Sequence, residues 1–228
     1  MVLFDVKQFQ ATEDDFKPGG GSYDPYKPTR EKIHAARKKF QGLKKYPCCL
    51  VLYNREKPLV DLEWRYIYGA MLGNLSIQMP FDKRRGELIP EKARTVFGSN
   101  GKVTRKVGQH FLLQNQTIST VIVLEQLPIG QQRFNLRMKQ FERDEKRRIP
   151  LEEFWERIQQ AQGTEEDVSV RQLRVVVNEN PYCRMPLTES IFRGPYDERY
   201  GADKEGRIIR KFAGEQIQRI EAEEKSLK

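Results

Sequence analysis

The sequence is poor in the residues that build disulfide scaffolds, zinc sites and membrane spans. Among 228 residues it has three cysteines and two histidines, and no cysteine pair has Cys-x-x-Cys spacing. A disulfide framework and a structural zinc are therefore disfavoured, and we expect reduced, mostly buried thiols. No stretch approaches the roughly 20 apolar residues of a bilayer-spanning helix. Because the start, MVLFDVKQFQ, also lacks the regions of a signal peptide, we expect a cytoplasmic protein without a membrane partner.

Positive charge is what the chain has in excess. Lysine and arginine number 41 against 32 aspartate and glutamate residues, which gives a net charge of +9. The excess is concentrated between residues 27 and 46, where eight basic residues accompany the single acid Glu31, a local net charge of +7. A basic balance of this kind favours a polyanionic partner such as nucleic acid.

The first part of the chain predicts a strand–helix–strand unit. Residues 1–8 alternate as a strand with one apolar face and one face that ends in Asp5 and Lys7. Apolar residues at helical spacing predict a helix over residues 27–46. Residues 48–53 form a continuous apolar run, which is typical of a strand buried on both faces. Short connections between these elements predict that the two strands are parallel and adjacent.

Further elements predict an α/β fold with a mixed sheet. A short helix is expected over residues 63–72. The apolar runs TISTVIVL, residues 117–124, and LRVVVN, residues 173–178, are expected to complete the sheet. The last 15 or so residues are expected to form a charged helix.

Composition divides the chain into three parts. Residues 1–126 are predicted to form the α/β core. Residues 127–170 are charged and helical in pattern, and we expect a helical insertion there. Residues 171–228 are expected to supply a closing strand, an irregular segment and the final helix.

Asp5-Val6-Lys7 is the sharpest chemical signal in the sequence. In a strand, residues two apart project from the same face about 6.5–7 Å apart, so the carboxylate and the ammonium group can converge. A carboxylate is a hard oxygen ligand that suits Mg²⁺. A metal-bound water beside a lysine is the chemistry of phosphodiester hydrolysis. As a bare motif, however, Asp-x-Lys occurs by chance in most proteins of this size.

Several stretches carry a likeness to a known superfamily. The order strand, Asp-x-Lys, helix, strand resembles the second half of the PD-(D/E)XK, or restriction-endonuclease-like, core, and more specifically an uncharacterised bacterial family within it. The likeness spans residues 1–126 and 172–200. The stretches that carry it are FDVKQF, YDPYKPTREKIHAARKKF, CCLVLYN, IYGAMLGNLSIQMPFD, TISTVIVL and LRVVVNENPYCRMPLTESIFRGPYDERY.

This resemblance implies a partial restriction-endonuclease-like core with a Mg²⁺-dependent nuclease site. It implies that Asp5 is a metal-binding acid and that Lys7 is the catalytic lysine. Gln8 directly follows the motif and is expected to brace the site and contact nucleic acid.

The helix after the motif supplies candidates for binding nucleic acid. Arg30 and Lys32 lie in its first turns, nearest the loop after the active strand, and are expected to contact phosphate. His34, Arg37 and Lys38 continue the same polar face at helical spacing. The alternative, a solvated charged face with no ligand, remains open for each of them.

One part of the superfamily pattern is missing. The superfamily places an acidic residue on a strand before the Asp-x-Lys strand, whereas Met1 lies only four residues before Asp5. We therefore expect either a start internal to a longer gene or a non-catalytic relative, with strand 2–6 left partly uncovered. Asp14 or Asp15 is not expected to replace the acid, because a loop carboxylate lacks the rigid placement that a metal site needs.

Three functions follow as hypotheses. The first is Mg²⁺-dependent hydrolysis of nucleic acid, with DNA the first expectation. The second is a non-catalytic module that binds nucleic acid through phosphate charge alone. The third is an interaction protein that docks a protein partner on residues 131–162, with the basic residues serving solubility.

Overall fold

A computed structural model describes the chain in several segments. These are residues 1–11, 24–55, 57, 60–73, 116–128, 171–203 and 207–226, the single positions 130, 135 and 156, and six short strands between residues 75 and 113. The helices are α1 (Lys27–Phe40), α2 (Trp64–Leu72) and α3 (Glu215–Ser226). The strands are β1 (Leu3–Gln10), β2 (Cys48–Arg55), β3 (Leu75–Gln78), β4 (Phe81–Asp82), β5 (Glu87–Leu88), β6 (Arg94–Phe97), β7 (Thr104–Val107), β8 (His110–Leu113), β9 (Ile118–Leu127), β10 (Gln172–Glu179), β11 (Glu198–Ala202) and β12 (Ile208–Ala213).

A six-stranded mixed sheet organises the fold in the order β1-β2-β9-β10-β11-β12. Strands β1, β2 and β9 are parallel, β10 is antiparallel to β9 and parallel to β11, and β12 is antiparallel to β11. The pairing of β1 with β2 runs from Leu3 opposite Cys48 to Gln10 opposite Arg55. The predicted α/β class, the parallel neighbours β1 and β2, and the two completing strands are therefore confirmed.

The three pairs among the short strands form separate two-stranded sheets. They are β3 with β6, β4 with β5, and β7 with β8. None of the three helices in the described segments has the length and apolar character needed to cross a membrane. The helical insertion predicted for residues 127–170 lies outside the described residues, apart from its first two positions and the single positions named above.

Helix α1 ends six residues earlier than the sequence pattern predicts. It stops at Phe40, and residues 41–46 form turns. Gly42 has φ +96°, a left-handed conformation that glycine adopts without strain. Leu43, which continues the apolar spacing in sequence, is 41% exposed and so does not belong to the buried stripe. The stripe consists of Ile33, Ala36 and Phe40.

The main core lies between one face of the sheet and helices α1 and α2. The alternate residues of β2 that face these helices are Cys48, Leu50 and Leu52. Helix α2 approaches the segment before α1 so closely that a Cβ atom at Gly69 would lie 2.2 Å from Cε1 of Tyr26. A second, smaller core on the opposite face contains residues of β2, β9 and β10, and the irregular segment 180–197 covers it through Leu187.

Strand β1 forms one edge of the sheet and turns its apolar face outward. Phe4 is 48% exposed and Val6 is 64% exposed, so the strand is partly uncovered, as expected. Its other face, which carries Leu3, Asp5 and Phe9, is the one that α1 covers. The crossover helix therefore packs on the side of β1 that holds the carboxylate.

Strands β11 and β12 were not predicted from the sequence. The first of them, ERYGA, buries Glu198 and Arg199 rather than an apolar run. Buried charges persist where they are paired, and here the partners come from β10 and β12. The charged final helix, α3, is confirmed and packs Ile217 against Ala213 and Leu127.

Candidate functional site

Asp5 and Lys7 project from the same face of β1, as predicted. Nζ of Lys7 lies 3.4 Å from Oδ2 of Asp5. Asp5 is buried, and Lys7 is largely covered. The period of two along a strand places both side chains under α1, so the two charged groups meet at the edge of the sheet beside that helix.

Lys39 completes this group and was not predicted as a site residue. Its Nζ donates a hydrogen bond of 2.8 Å to Oδ1 of Asp5. The Lys39 side chain is 59% exposed, so the pair lies at the boundary between protein and solvent. We call Asp5, Lys7 and Lys39 the Asp5 cluster.

The path of the crossover explains why Lys39 reaches Asp5. Helix α1 runs back over two parallel strands, so its last turn lies above the start of β1 and its first turns lie above the end. Accordingly, Nζ of Lys32 lies 5.4 Å from the ring centroid of Phe9. Seven helical residues span about 10.5 Å and four strand residues about 13 Å, so the two pairs fit one register.

The Asp5 cluster carries two positive charges and one negative charge. The hydrogen bond to Asp5, together with the negative charge of that carboxylate, raises the pKa of Lys39 above its ordinary value. Oδ2 of Asp5 is buried and has no hydrogen-bond partner among the described residues, although Lys7 neutralises it from 3.4 Å. The carboxylate is thus held by charge on both sides.

Among the residues that the structure describes, the donor set around Asp5 does not fit a Mg²⁺ ion. Mg²⁺ requires a near-octahedral set of oxygen ligands. Within the described segments, no group of three or more His, Cys, Asp or Glu side chains comes together. The two groups beside Asp5 are ammonium groups, which repel a dication. Asp14 and Asp15, the loop carboxylates considered above, lie outside the described residues.

Two predicted contact residues are placed differently from expectation. Gln8 is exposed on the opposite face of β1 from Lys7, because adjacent strand residues alternate. It therefore does not brace the Asp5 cluster. Arg30 is buried; its Nη1 lies 2.8 Å from Oδ2 of Asp24, and its guanidinium lies over the ring of Tyr26. Arg30 is thus engaged inside the protein rather than presented to a phosphate.

The remaining helical candidates lie toward solvent. His34, Arg37 and Lys38 are exposed, and Lys32 is half-buried against Phe9. The turn after α1 adds exposed lysines to the same end of the helix. We call the group of exposed cations at this end the cationic surface: Arg37, Lys38, Lys39, Lys44 and Lys45.

A cavity of about 700 Å³ lies at the end of the sheet formed by the start of β9 and the ends of β10 and β11. Sequence reasoning gave no signal for it. Its polar groups already hold the protein together: the Ser119 hydroxyl accepts from the Cys48 amide at 2.9 Å and donates to the carbonyl of Met185 at 2.6 Å. Glu179 is paired with Lys211 at 2.7 Å.

The thiol in this cavity is not activated. Burial, and then the nearby charge of Glu179, raise the pKa of Cys183 to about 11. A thiolate is the nucleophilic form, and this thiol is protonated at neutral pH. Cys48 and Cys49 are buried, as expected, and Cys183 is half-buried.

No family model, curated protein or solved structure matches this chain. The resemblance to the PD-(D/E)XK superfamily therefore has no support from these comparisons and stays a prediction from the residues. The structure itself establishes a mixed α/β sheet with three helices in the described segments.

Proposed function

We propose that this chain binds nucleic acid and that the cationic surface contacts its phosphates. The observation that carries the proposal is the exposure of five cations within residues 37–45. Phosphate contacts supply most of the affinity of non-specific nucleic-acid binding, and lysine and arginine provide them. The net charge of +9 acts in the same direction over longer distances.

The absence of acidic residues supports binding over a simple solvated face. Solvated helices usually alternate charges, since pairs of opposite sign at i and i+4 stabilise them. No aspartate or glutamate occurs between residues 32 and 55. Basic residues in the last turn also interact favourably with the helix dipole, which accounts for some of the charge but not for the lysines beyond the helix end.

A charge-matched pair of variants tests the proposal. The first replaces Arg37, Lys38 and Lys44 with Gln; the control replaces the exposed Arg171, Arg219 and Lys225 with Gln, so both have the same net charge. Fluorescence anisotropy with labelled duplex DNA and RNA of equal length measures affinity across a salt series. Removing three phosphate contacts lowers the salt slope by about 2.7, and the control leaves it nearly unchanged.

Two outcomes would overturn the proposal. One is an equal loss of affinity in both variants, which would assign the binding to overall charge rather than to this surface. The other is an absence of salt-dependent binding in the unmodified chain, which would favour the interaction-protein hypothesis.

Metal-dependent phosphodiester hydrolysis in a restriction-endonuclease-like core is the second candidate. The observation that favours it is the convergence of Asp5 and Lys7 on one face, 3.4 Å apart. It requires further carboxylate oxygens from outside the described residues, because the neighbours of Asp5 are cationic. Its test is cleavage of plasmid DNA with added Mg²⁺ or Mn²⁺: the unmodified chain cleaves, and Asp5→Asn loses cleavage but retains binding. Full cleavage by Asp5→Asn would reject it.

A further inference from the structure

We infer that Asp5 is a positioning residue that holds Lys7 and Lys39 together as one receptor for a phosphate group. The inference rests on the proposed function and deepens it, because it names the residues that bind an individual phosphate. It departs from the predicted role of Asp5 as a metal ligand.

The ammonium groups of Lys7 and Lys39 lie on either side of the Asp5 carboxylate. Both ammonium groups lie within 3.4 Å of the same carboxylate, one at each oxygen. Without a negative group between them, two ammonium groups this close would repel each other. Asp5 is well placed to offset that repulsion, since its own position on β1 is fixed by the backbone pairing with β2.

The Asp5 cluster has both excess positive charge and N–H donors that an anion could use. After Asp5 neutralises one charge, the cluster keeps a net charge of +1 at the surface. An ammonium group has three N–H donors, and the contact with Asp5 uses one of those on Lys39. The others remain for water or for the oxygens of an anion, and a phosphate offers several such oxygens.

The three side chains of the Asp5 cluster differ in their exposure to solvent. The carboxylate is the most covered member of the cluster, at 8% exposure of the side chain, whereas the side chains of Lys7 and Lys39 are 21% and 59% exposed. An approaching anion therefore meets the ammonium groups before the carboxylate. This order of exposure suits an anion receptor and opposes a metal site, in which the carboxylate must face the ion.

Isothermal titration of the full chain with pyrophosphate tests the receptor. We expect Lys7→Gln and Lys39→Gln each to weaken binding at least fivefold. The control Lys225→Gln removes the same charge from an exposed lysine of α3, outside the cationic surface, and is expected to weaken it less than twofold. Equal losses in all three variants, or a lack of pyrophosphate binding, would overturn the receptor.

A double-variant comparison tests the positioning role of Asp5. In an Asp5→Asn background, Lys39→Gln should no longer cost more affinity than Lys225→Gln, because the carboxylate that holds Lys39 in the receptor is gone. A preserved fivefold difference would show that Asp5 does not position Lys39. The three lysine variants in the unmodified background keep the receptor testable if Asp5→Asn does not fold.

The same measurements separate this inference from the proposed function. Pyrophosphate binding that depends on Lys7 and Lys39, without binding of DNA or RNA, would reject the nucleic-acid proposal alone. Salt-dependent DNA binding with no distinct effect of Lys7 or Lys39 would reject the receptor alone. Titration of Mg²⁺ or Mn²⁺ that shows a site abolished by Asp5→Asn would restore the metal-ligand role and reject the positioning role.

Discussion

Nε of Arg199 lies 3.1 Å from Oε1 of Glu179, and this arginine is 1% exposed. The pair joins β11 to the end of β10. The same guanidinium donates to the carbonyl oxygen of Thr188 at 3.2 Å, which attaches the irregular segment 180–197 to the sheet. A charged residue thus occupies a position that an apolar side chain usually fills, and it is tolerated because its partners are in place.

Arg199→Met is expected to lower the free energy of unfolding by about 3 kcal/mol. The change leaves Glu179 with one cation fewer and the Thr188 carbonyl without this donor, which is the costly way to break a buried pair. Urea denaturation followed by circular dichroism measures it. Arg219→Met, at an exposed position of α3, is the control and is expected to stay within about 0.5 kcal/mol. Similar losses in the two variants would contradict the role of Arg199.

Gly69→Ala is expected to destabilise the protein by about 1–3 kcal/mol. Its Cβ atom would lie 2.2 Å from Cε1 of Tyr26, so the ring must move. Alanine is otherwise the better helix former by about 1 kcal/mol. In a Tyr26→Ala background, the same change should therefore become neutral or stabilising. A double-mutant cycle measures this coupling, and additive effects would argue against the contact.

The contribution of Lys39 to stability is expected to disappear at alkaline pH. Its pKa in the folded protein is raised above the ordinary 10.5 by the hydrogen bond to Asp5. The contribution is therefore fully present below 10.5, where the lysine is charged in both states, and is lost as the pH rises through the higher folded value. Melting temperatures of the unmodified chain and Lys39→Gln should converge across that range. Lys38→Gln, which leaves the hydrogen bond between Lys39 and Asp5 in place, is the control and should keep the alkaline loss of stability that the unmodified chain shows.

Cys183 is expected to react slowly with iodoacetamide at neutral pH. Its pKa of about 11 leaves few thiolates, so the rate should rise nearly tenfold per pH unit until that value. Cys48 and Cys49 are fully buried, so iodoacetamide cannot reach them without local unfolding, and these two should react more slowly still. Mass spectrometry of the alkylated peptides distinguishes the sites, with urea-unfolded protein as the reactive control. A fast phase at Cys183 at pH 7 would contradict the expectation.

The parts of the fold that sequence patterns predicted are those with local signals. The apolar run of β2 and the helical spacing of Ile33, Ala36 and Phe40 need no distant partner to be recognised. Strand β11 gave no such signal, because the burial of Glu198 and Arg199 depends on Arg174 and Glu179, which lie elsewhere in the sequence. That strand forms because its charged residues pair with distant residues, and its own composition does not predict it.

The residues of the candidate site also fall into those that a local sequence pattern predicts and those whose placement depends on other parts of the chain. The common face of Asp5 and Lys7 follows from the period of two in a strand, and the same rule places Gln8 on the other face. The approach of Lys39 depends on how α1 is rotated over the sheet, which a helical pattern leaves open. The burial of Arg30 depends on Asp24, which precedes the helix. Sequence reasoning therefore located the strand of the site but not its partner on the helix.

The hydroxyl of Ser119 joins two segments that are 71 and 66 residues away in sequence, those of Cys48 and Met185. On the ribosome, β2 therefore emerges long before the neighbour that it pairs with, β9, and β9 emerges before β10. Closing such long loops is slow, because much chain entropy is lost before the contacts form. The sheet of the nascent chain consequently stays incomplete through much of synthesis, and this is the period in which chaperone binding matters most.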